Sequence, residues 1–265
     1  MIECVINISE GRDLELVEEI ALFAGNDLLD IHCDPDHNRS VITVVGPSAP
    51  AVVIRAAVDR LDLRTHTGVH PRIGVVDVVP FVPLSGATFE DAMTNRNEMS
   101  SWIANELHIP VFLYGPERTL PDIRRQAFTT LMPDLGPASP HPTAGAVAVG
   151  ARELMLAWNL WLSEPDLERA KAIASAIRGP GIRALGLQVG DQVQVSMNLI
   201  DPLRVGPAGV YDRVVAMAAI DRAELVGLVP QVVLDAVAHE RWQQLDLSKE
   251  STIEYRLAHR RGSGR

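Results

Sequence analysis

The sequence predicts an α+β fold in which the split βαβ arrangement occurs twice. Strand-like and helix-like segments alternate along its 265 residues, and each half follows the order strand, helix, strand, strand, helix, strand. In the first half, a short polar loop without a helix joins residues 28–33 to residues 40–45, which is typical of an antiparallel hairpin. We therefore expect mixed or antiparallel sheets instead of a doubly wound parallel sheet.

The elements of the first half are defined by apolar periodicity and by cap residues. The predicted strands cover residues 2–8, 28–33, 40–45, 74–82 and 110–114, and the predicted helices cover residues 14–24, 47–61 and 88–107. Thr88, followed by Glu90 and Asp91, predicts the N-cap and the acidic first turn of the last helix. The order through residue 82 is that of a ferredoxin-like unit.

Residues 132–145 interrupt this alternation. They contain four prolines and two glycines, so we expect a long loop that proline stiffens. Two interpretations stay open, a linker between domains and a rigid wall of a ligand site.

The second half repeats the order of the first. After the loop, the predicted strands cover residues 146–149, 154–162, 182–188, 192–199 and 223–229, the first of them still within residues 1–151, and the predicted helices cover residues 164–178, 209–219 and 230–243. Pro165 is expected in the first turn of the first of these helices. We expect two ferredoxin-like subdomains, residues 1–151 and residues 152–265.

Composition excludes several classes of protein. A net charge of -10 argues against a nucleic-acid binder, because such proteins need a basic surface. No apolar run approaches the length that spans a bilayer, so we expect neither a membrane partner nor membrane insertion. The predicted compartment is the cytoplasm.

The segment with the strongest chemical signal is residues 65–74, which hold His66, His70 and Arg72 just before an apolar strand. A glycine between the two histidines and a proline after the second disfavour a helix, so this segment is expected to be a loop at a sheet edge. Imidazole titrates near neutral pH and transfers protons readily. The loop therefore predicts an active site with His70 as its main group, while His66 is equally a catalyst or a scaffold.

Two further groups of polar residues accompany this loop. The predicted hairpin turn is the first, and it contains Asp34, Asp36, His37, Asn38 and Arg39. It is either a turn rich in turn-forming residues or a support for the site. We expect no metal there, because cysteine partners and an HExxH motif are lacking.

The second group is a single carboxylate, Asp77, within an apolar run. It either accepts backbone N–H groups or balances a nearby charge, because an unpaired buried charge is costly.

A series of motifs runs in order over nearly the whole chain. They are ECV at 3–5, SEGR at 9–12, DPDHNRSVIT at 34–43, HxGxHPRxG at 66–74, DVxPF at 77–81, VxLYG at 111–115, HPTAGAVAVGAR at 141–152, VQVSMNL at 193–199 and ELVGLVP at 224–230. In these motifs the chain resembles the formiminotransferase family, the glutamate formimidoyltransferases.

The resemblance implies transfer of the formimino group from N-formimino-L-glutamate to N5 of tetrahydrofolate, the co-substrate. It also implies a ligand tunnel between the two ferredoxin-like subdomains and a homodimer, and it places the catalytic histidine at His70. The folate-binding residues that it implies are Gly136, Pro137, Ala138, Ser139, Pro140, His141, Pro142, Thr143, Ala144 and Gly145, together with Gly179, Gly181, Arg183 and Gly186 in a glycine-rich turn.

The reaction needs one acid–base group and local positive charge. N5 attacks the amidine carbon and the glutamate nitrogen leaves protonated, so one group near neutrality suffices, and His70 fits this role. The substrates carry carboxylates, so cations must concentrate locally, and the candidates are Arg39, Arg72, Arg152 and Arg183. A carboxylate near His70, from Asp34, Asp36 or Asp77, would stabilise the protonated amidine.

The chain departs from many family members at two positions of the histidine segment. It has Thr67 and Val69 where those members have Lys and Glu. A folate-dependent transferase with another donor, formiminoglycine or formylglutamate, is therefore one alternative. The other is a non-catalytic folate-binding homologue.

Overall fold

The computed structural model describes residues 1–68 and 71–260, and this part of the chain divides into two compact units, Met1–Glu153 and Leu154–Arg260. Each unit contains one sheet and its own apolar core. The strand order of both sheets follows the ferredoxin-like pattern, so the predicted fold class is confirmed.

The first unit alternates strands and helices throughout. Its elements are β1 (Ile2–Ile8), α1 (Leu14–Leu22), β2 (Leu28–Asp34), β3 (Arg39–Val45), α2 (Ala49–Arg60), β4 (Val76–Pro83), α3 (Phe89–Glu106), β5 (Val111–Tyr114), α4 (Leu120–Gln126) and β6 (Val147–Ala151). Within the described residues, the sheet has six strands in the order β2-β3-β1-β4-β6-β5. The first four pair antiparallel, whereas β4, β6 and β5 run parallel, so the sheet is mixed.

The two faces of this sheet differ in chemistry. Helices α1, α2 and α3 bury an apolar core against one face. On the other face α4 packs Ile123 against Phe112 and Val78. Asn7 points to this second face because it pairs directly with Val78, and Arg39 donates to the Asn7 amide oxygen. Polar groups therefore collect on the second face, beside α4.

The longest helix in the described chain, α3, begins where the sequence predicts. The Thr88 hydroxyl accepts the N–H of Asp91 at 3.1 Å, and the Asp91 carboxylate accepts the N–H of Thr88 at 2.8 Å, which forms a capping box. No helix among the described residues is both long enough and apolar enough to cross a membrane.

The second unit has the simpler topology. Its elements are β7 (Leu156–Leu162), α5 (Leu167–Ile177), β8 (Ile182–Val189), β9 (Gln192–Leu199), α6 (Pro207–Val215), β10 (Ile220–Val226), α7 (Gln231–Asp235) and α8 (Ile253–Ala258). The strand order β10-β7-β9-β8 is antiparallel throughout. Helices α5 and α6 cover one face, over buried residues such as Trp158 and Val195.

Some local predictions for the second unit are wrong. The single helix expected over residues 230–243 is α7 followed by two 3₁₀ turns. The helical backbone is interrupted at Ala238, which has a non-helical conformation. The indole N–H of Trp242 donates to the carbonyl oxygen of Val237 at 3.0 Å. Pro165 precedes the helix instead of lying in its first turn, because the side chain of Asp166 caps α5.

The proline-rich loop, residues 132–145, lies wholly inside the first unit, so the linker interpretation is wrong. The carbonyl oxygen of Leu135 accepts the N–H of Val111 at 3.0 Å, which attaches the start of the loop to β5. At its end, His141 and Gly145 exchange two backbone hydrogen bonds of 2.7 and 2.9 Å. The loop is therefore fixed at both ends of its path.

Candidate active site

Asn38 joins three segments of the first unit. Its backbone φ of +50° lies in the left-handed region, which asparagine tolerates better than most residues. Its side-chain oxygen accepts the N–H of Gly11 at 2.9 Å, and its side-chain nitrogen donates to the carbonyl oxygen of Thr67 at 2.9 Å. The same nitrogen lies 3.1 Å from Nδ1 of His66. The β2–β3 turn, the connection after β1 and the histidine loop, residues 62–74, are thus held together.

These contacts fix the protonation of His66. Because the Asn38 nitrogen is a donor, Nδ1 of His66 accepts, and the neutral ring carries its proton on Nε2. Nε2 is buried and has no hydrogen-bond partner among the described residues. Burial lowers the pKa of His66, the positive charges of Arg72 and Arg12 lower it further, and Glu10 opposes them. Near pH 7 the ring is therefore neutral and has one buried N–H to donate.

Asp34 is paired with His37 across the β2–β3 turn. One carboxylate oxygen accepts the N–H of His37 at 2.9 Å, and the other forms a close contact with Nδ1 of the same ring. Burial by itself raises the pKa of Asp34, but the hydrogen bonds from His37 outweigh it, so the pKa lies below its ordinary value. The neighbouring Asp36 is exposed. The turn therefore holds one ionised carboxylate against a histidine.

Asp77 is the centre of a cluster of arginines. Its side chain is 3% exposed, and one oxygen accepts the N–H of Ile73 at 2.8 Å while the other lies 2.6 Å from Nη2 of Arg124. Burial lowers the pKa of Arg39 and of Arg72, and the negative charge of Asp77 opposes this for both. Arg124 contacts Asp77 directly, and the charge of Asp77 also acts on Arg39 and Arg72, so three guanidinium groups lie in the surroundings of this carboxylate in a protein of net charge -10.

Arg72 holds the histidine loop through backbone contacts. Its two terminal nitrogens donate to the carbonyl oxygen of Gly68 at 3.2 and 3.1 Å. Gly68 itself lies close to the β2–β3 turn, since an added Cβ would be 2.6 Å from the carbonyl oxygen of His37 and 3.2 Å from Cβ of Asn38. A glycine is required here for close approach, and Arg72 has a structural role in the loop.

A cleft of about 390 Å³ lies in the first unit, between α4, the histidine loop and the proline-rich loop. Its lining residues are Leu63, Arg64, Ile73, Arg124, Ala127, Phe128, Pro140, His141, Pro142 and Gly145. Nδ1 of His141 accepts the N–H of Ala144 at 3.0 Å, so the neutral ring carries its proton on Nε2. The carbonyl oxygen of Thr143 accepts the N–H of Leu63 at 2.7 Å, which attaches the two loops to each other.

Most of the predicted residues of the first unit fall into three groups, whereas Asp36, Thr143, Ala144 and Arg152 belong to none of them. Seven lie in the two connected clusters around Asn38 and Asp77, namely Asp34, His37, Asn38, Arg39, His66, Arg72 and Asp77. Four residues of the proline-rich loop line the cleft, and residues 136–139 form an exposed earlier part of that loop. The predicted catalytic residue, His70, lies outside the described residues.

In the second unit the four predicted folate-binding residues do not lie in one turn. Gly179 and Gly181 precede β8, whereas Arg183 and Gly186 lie within it. An added Cβ at Gly186 would overlap the backbone of α5 at Lys171, so this glycine serves the packing of helix on strand. Arg183 is exposed and, by strand alternation, lies on the face opposite to Gly186.

Arg124 is the site residue that the sequence interpretation missed. The short helix α4 that carries it was not predicted. A signal was present, because Thr119 and Asp122 form a capping box and Pro121 stands in the first turn. Among residues 1–68 and 71–260, no three His, Cys, Asp or Glu side chains converge as metal ligands would.

Comparisons with known proteins agree with the resemblance. Residues 1–152 match the family described as the formiminotransferase domain, N-terminal subdomain. The glutamate formimidoyltransferase of Thermoplasma acidophilum is 37% identical over 97% of this chain and 97% of its own length. That of Streptococcus pyogenes serotype M1 is 31% identical over 96% of this chain and 97% of its own length.

A third relative is longer. The formimidoyltransferase-cyclodeaminase of Rattus norvegicus is 34% identical over 90% of this chain, and the match covers 52% of the rat protein. The chain belongs to the formiminotransferase family. The expectations of the family and of an enzyme of this family are therefore confirmed.

Proposed function

We propose that this protein transfers the formimino group of N-formimino-L-glutamate to N5 of tetrahydrofolate, giving 5-formiminotetrahydrofolate and glutamate. Glutamate formimidoyltransferase is the name of two relatives that match nearly the whole chain. The observation that carries the proposal in this chain is the cluster of Arg39, Arg72 and Arg124 around Asp77, beside the cleft. Both proposed substrates are anions, and an acidic protein needs such a local cluster to bind them.

His70 is the proposed general acid and base. It takes the proton that N5 loses when it attacks the amidine carbon, and it returns a proton to the glutamate nitrogen when the C–N bond breaks. The state of His66 supports this assignment. Asn38 fixes the neutral tautomer of His66 with the proton on Nε2, so that nitrogen can donate but cannot accept. This favours another group as the base, and His70 stands four positions further along the sequence.

We propose that folate is held by residues 136–145 together with Gly179, Gly181 and Arg183. Four residues of the first segment line a cleft with apolar walls, which supports a ligand wall over a connecting loop. Gly186 stays in the predicted set, and helix α5, which leaves no space for a side chain there, gives this glycine a packing role as well. The subdomain bounds 1–151 and 152–265 and the cytoplasm remain predictions from the sequence, and a tunnel between the subdomains and a homodimer remain predictions from the resemblance.

A donor screen tests the proposal. Purified protein is incubated with tetrahydrofolate and, separately, with formiminoglutamate, formiminoglycine or formylglutamate, and folate product and released amino acid are quantified by chromatography. We expect kcat/KM for formiminoglutamate to exceed that of either other donor by at least about tenfold, since the wrong donor leaves charged groups unpaired. A preference for another donor would identify a related transferase, and tetrahydrofolate binding without turnover would identify a non-catalytic homologue.

A further inference from the structure

Arg124 combines a fixed position with an unused hydrogen-bond donor. The ion pair of its Nη2 with Asp77 holds the guanidinium in place at 2.6 Å. The other terminal nitrogen, Nη1, has no hydrogen-bond partner among the described residues. A guanidinium N–H that is withdrawn from water without an acceptor is costly. Arg124 also lines the cleft, so an anion that binds there can supply the missing acceptor.

Arg64, the other arginine that lines the cleft, does not combine burial with an unused hydrogen-bond donor. Arg64 is two-thirds exposed, and its Nε and Nη2 donate to the carboxylate of Asp62 at 2.5 to 3.0 Å. Arg124, by contrast, is 19% exposed and contacts Asp77 through Nη2 only, so it differs from Arg64 in keeping one terminal nitrogen without an acceptor.

The other residues that line the cleft indicate what kind of chemical group accompanies the anion. Leu63, Ile73, Phe128, Pro140 and Pro142 are apolar and surround a space of about 390 Å³. An apolar space of this size next to one guanidinium fits an aromatic or aliphatic group that ends in a carboxylate. A small, fully polar anion would leave these walls without a partner.

We propose that Arg124 is a substrate-binding residue that pairs with a carboxylate of the folate tail, while the aminobenzoyl ring lies on the apolar walls of the cleft. The inference rests on the proposed function, because that function supplies a ligand with a ring and a glutamyl carboxylate. Formiminoglutamate carries carboxylates too, but it has no ring to contact the walls. Asp77 acts through Arg124 as a positioning residue.

Equilibrium binding of N-(p-aminobenzoyl)-L-glutamate, followed by NMR titration of the full chain, tests the proposal without any turnover. The binding assay does not require formimino transfer, so it remains valid even if the protein does not catalyse that reaction. We expect Arg124→Gln to weaken binding about 10- to 100-fold, the range for a lost charge-assisted hydrogen bond. Arg125→Gln is the matched control, because Arg125 lies next to it on α4, is largely exposed and pairs with Asp122. The affinity of the Arg125→Gln variant should equal that of the wild type.

The variant Asp77→Asn/Arg124→Gln separates binding from folding, because it removes both partners of the ion pair. Weak binding in this variant at a melting temperature near that of the wild type would support the proposal. Recovered binding would show that Arg124 is only structural and would overturn it. Unchanged affinity in Arg124→Gln, or equal losses in Arg124→Gln and Arg125→Gln, would overturn it too. A loss confined to titration with formiminoglutamate would contradict the assignment to the folate tail.

Discussion

Arg124 and Asp77 form an ion pair of 2.6 Å that joins helix α4 to strand β4 across 47 positions of the chain. Their side chains are 19% and 3% exposed, so both charges are largely withdrawn from water. The same aspartate accepts the backbone N–H of Ile73, at the end of the histidine loop. One carboxylate thus couples the position of α4, one wall of the cleft, to the loop that carries the proposed catalytic histidine.

The first prediction concerns the free energy of unfolding that this pair contributes. Arg124→Met removes the directly bonded partner of the buried Asp77 carboxylate, while the charges of Arg39 and Arg72 still act on it, so we expect a loss of about 1–3 kcal/mol. Asp77→Asn/Arg124→Met should lose clearly less than the sum of the single variants, because each single variant already loses the whole ion pair. Urea denaturation measures all of these values. Arg125→Met should match the wild type, and additive losses in the double variant would contradict the coupling.

The second prediction concerns Asn38. Asn38→Ala removes the acceptor of the Gly11 N–H and the donor to Thr67, so we expect a loss of about 2–3 kcal/mol of unfolding free energy. Asn38→Gly separates the causes, because glycine adopts the φ of +50° without strain but also lacks the side chain. It should still lose at least about 1 kcal/mol. Wild-type stability in Asn38→Gly would mean that only the backbone conformation matters.

The third prediction is the pH dependence that His66 causes. Burial lowers the pKa of His66 in the folded state, so unfolding takes up a proton at pH values below the ordinary pKa of 6.5. Stability should therefore fall as the pH decreases from about 6.5 until it passes the folded-state pKa. His66→Asn keeps an acceptor near the position of Nδ1 and does not titrate. Its melting temperature should decline less than that of the wild type between pH 7 and 5, and parallel curves would refute the shift.

The fourth prediction concerns the proline-rich loop. Three flexible residues inserted after Ala138 should displace Pro140 and His141 from the cleft while the backbone bonds at both ends of the loop persist. We expect weaker tetrahydrofolate binding, measured by fluorescence titration, with little change in melting temperature. The same insertion at the exposed turn after Gly190, in the second unit, is the control and should leave binding unchanged. Equal affinities in both variants would remove the loop from the folate site.

Local signals predicted much of the fold. Strands β1 and β9 have the predicted bounds, and Thr88 caps α3 as expected, because periodicity and cap chemistry are properties of adjacent residues. Helix α4 was missed because seven residues with a proline give almost no periodic pattern. The break after α7 was missed because the apolar spacing continues through Val237, while the return of the Trp242 indole depends on packing.

In the candidate site, too, features that depend on adjacent residues were predictable and features that depend on tertiary packing were not. Residue types and spacing predicted that the β2–β3 turn and the histidine loop would matter, and the structure joins them through Asn38 and His66. The partner of Asp77 was not predictable, because Arg124 lies 47 positions away on an element without a clear signal. Which arginines share one carboxylate is decided by strand order and helix placement, and neither can be inferred from neighbours in the chain.

Following the formimino carbon itself is the most direct test of formimino transfer to folate. N-formimino-L-glutamate labelled with ¹³C at that carbon is mixed with tetrahydrofolate and an excess of protein, and the label is followed by NMR in a single turnover. We predict that it moves to the folate, with an equal amount of glutamate released, and that His70→Ala slows this step by about two to four orders of magnitude. His66→Ala should slow it far less. A label that stays on the donor, or an equal rate in His70→Ala, would contradict the account.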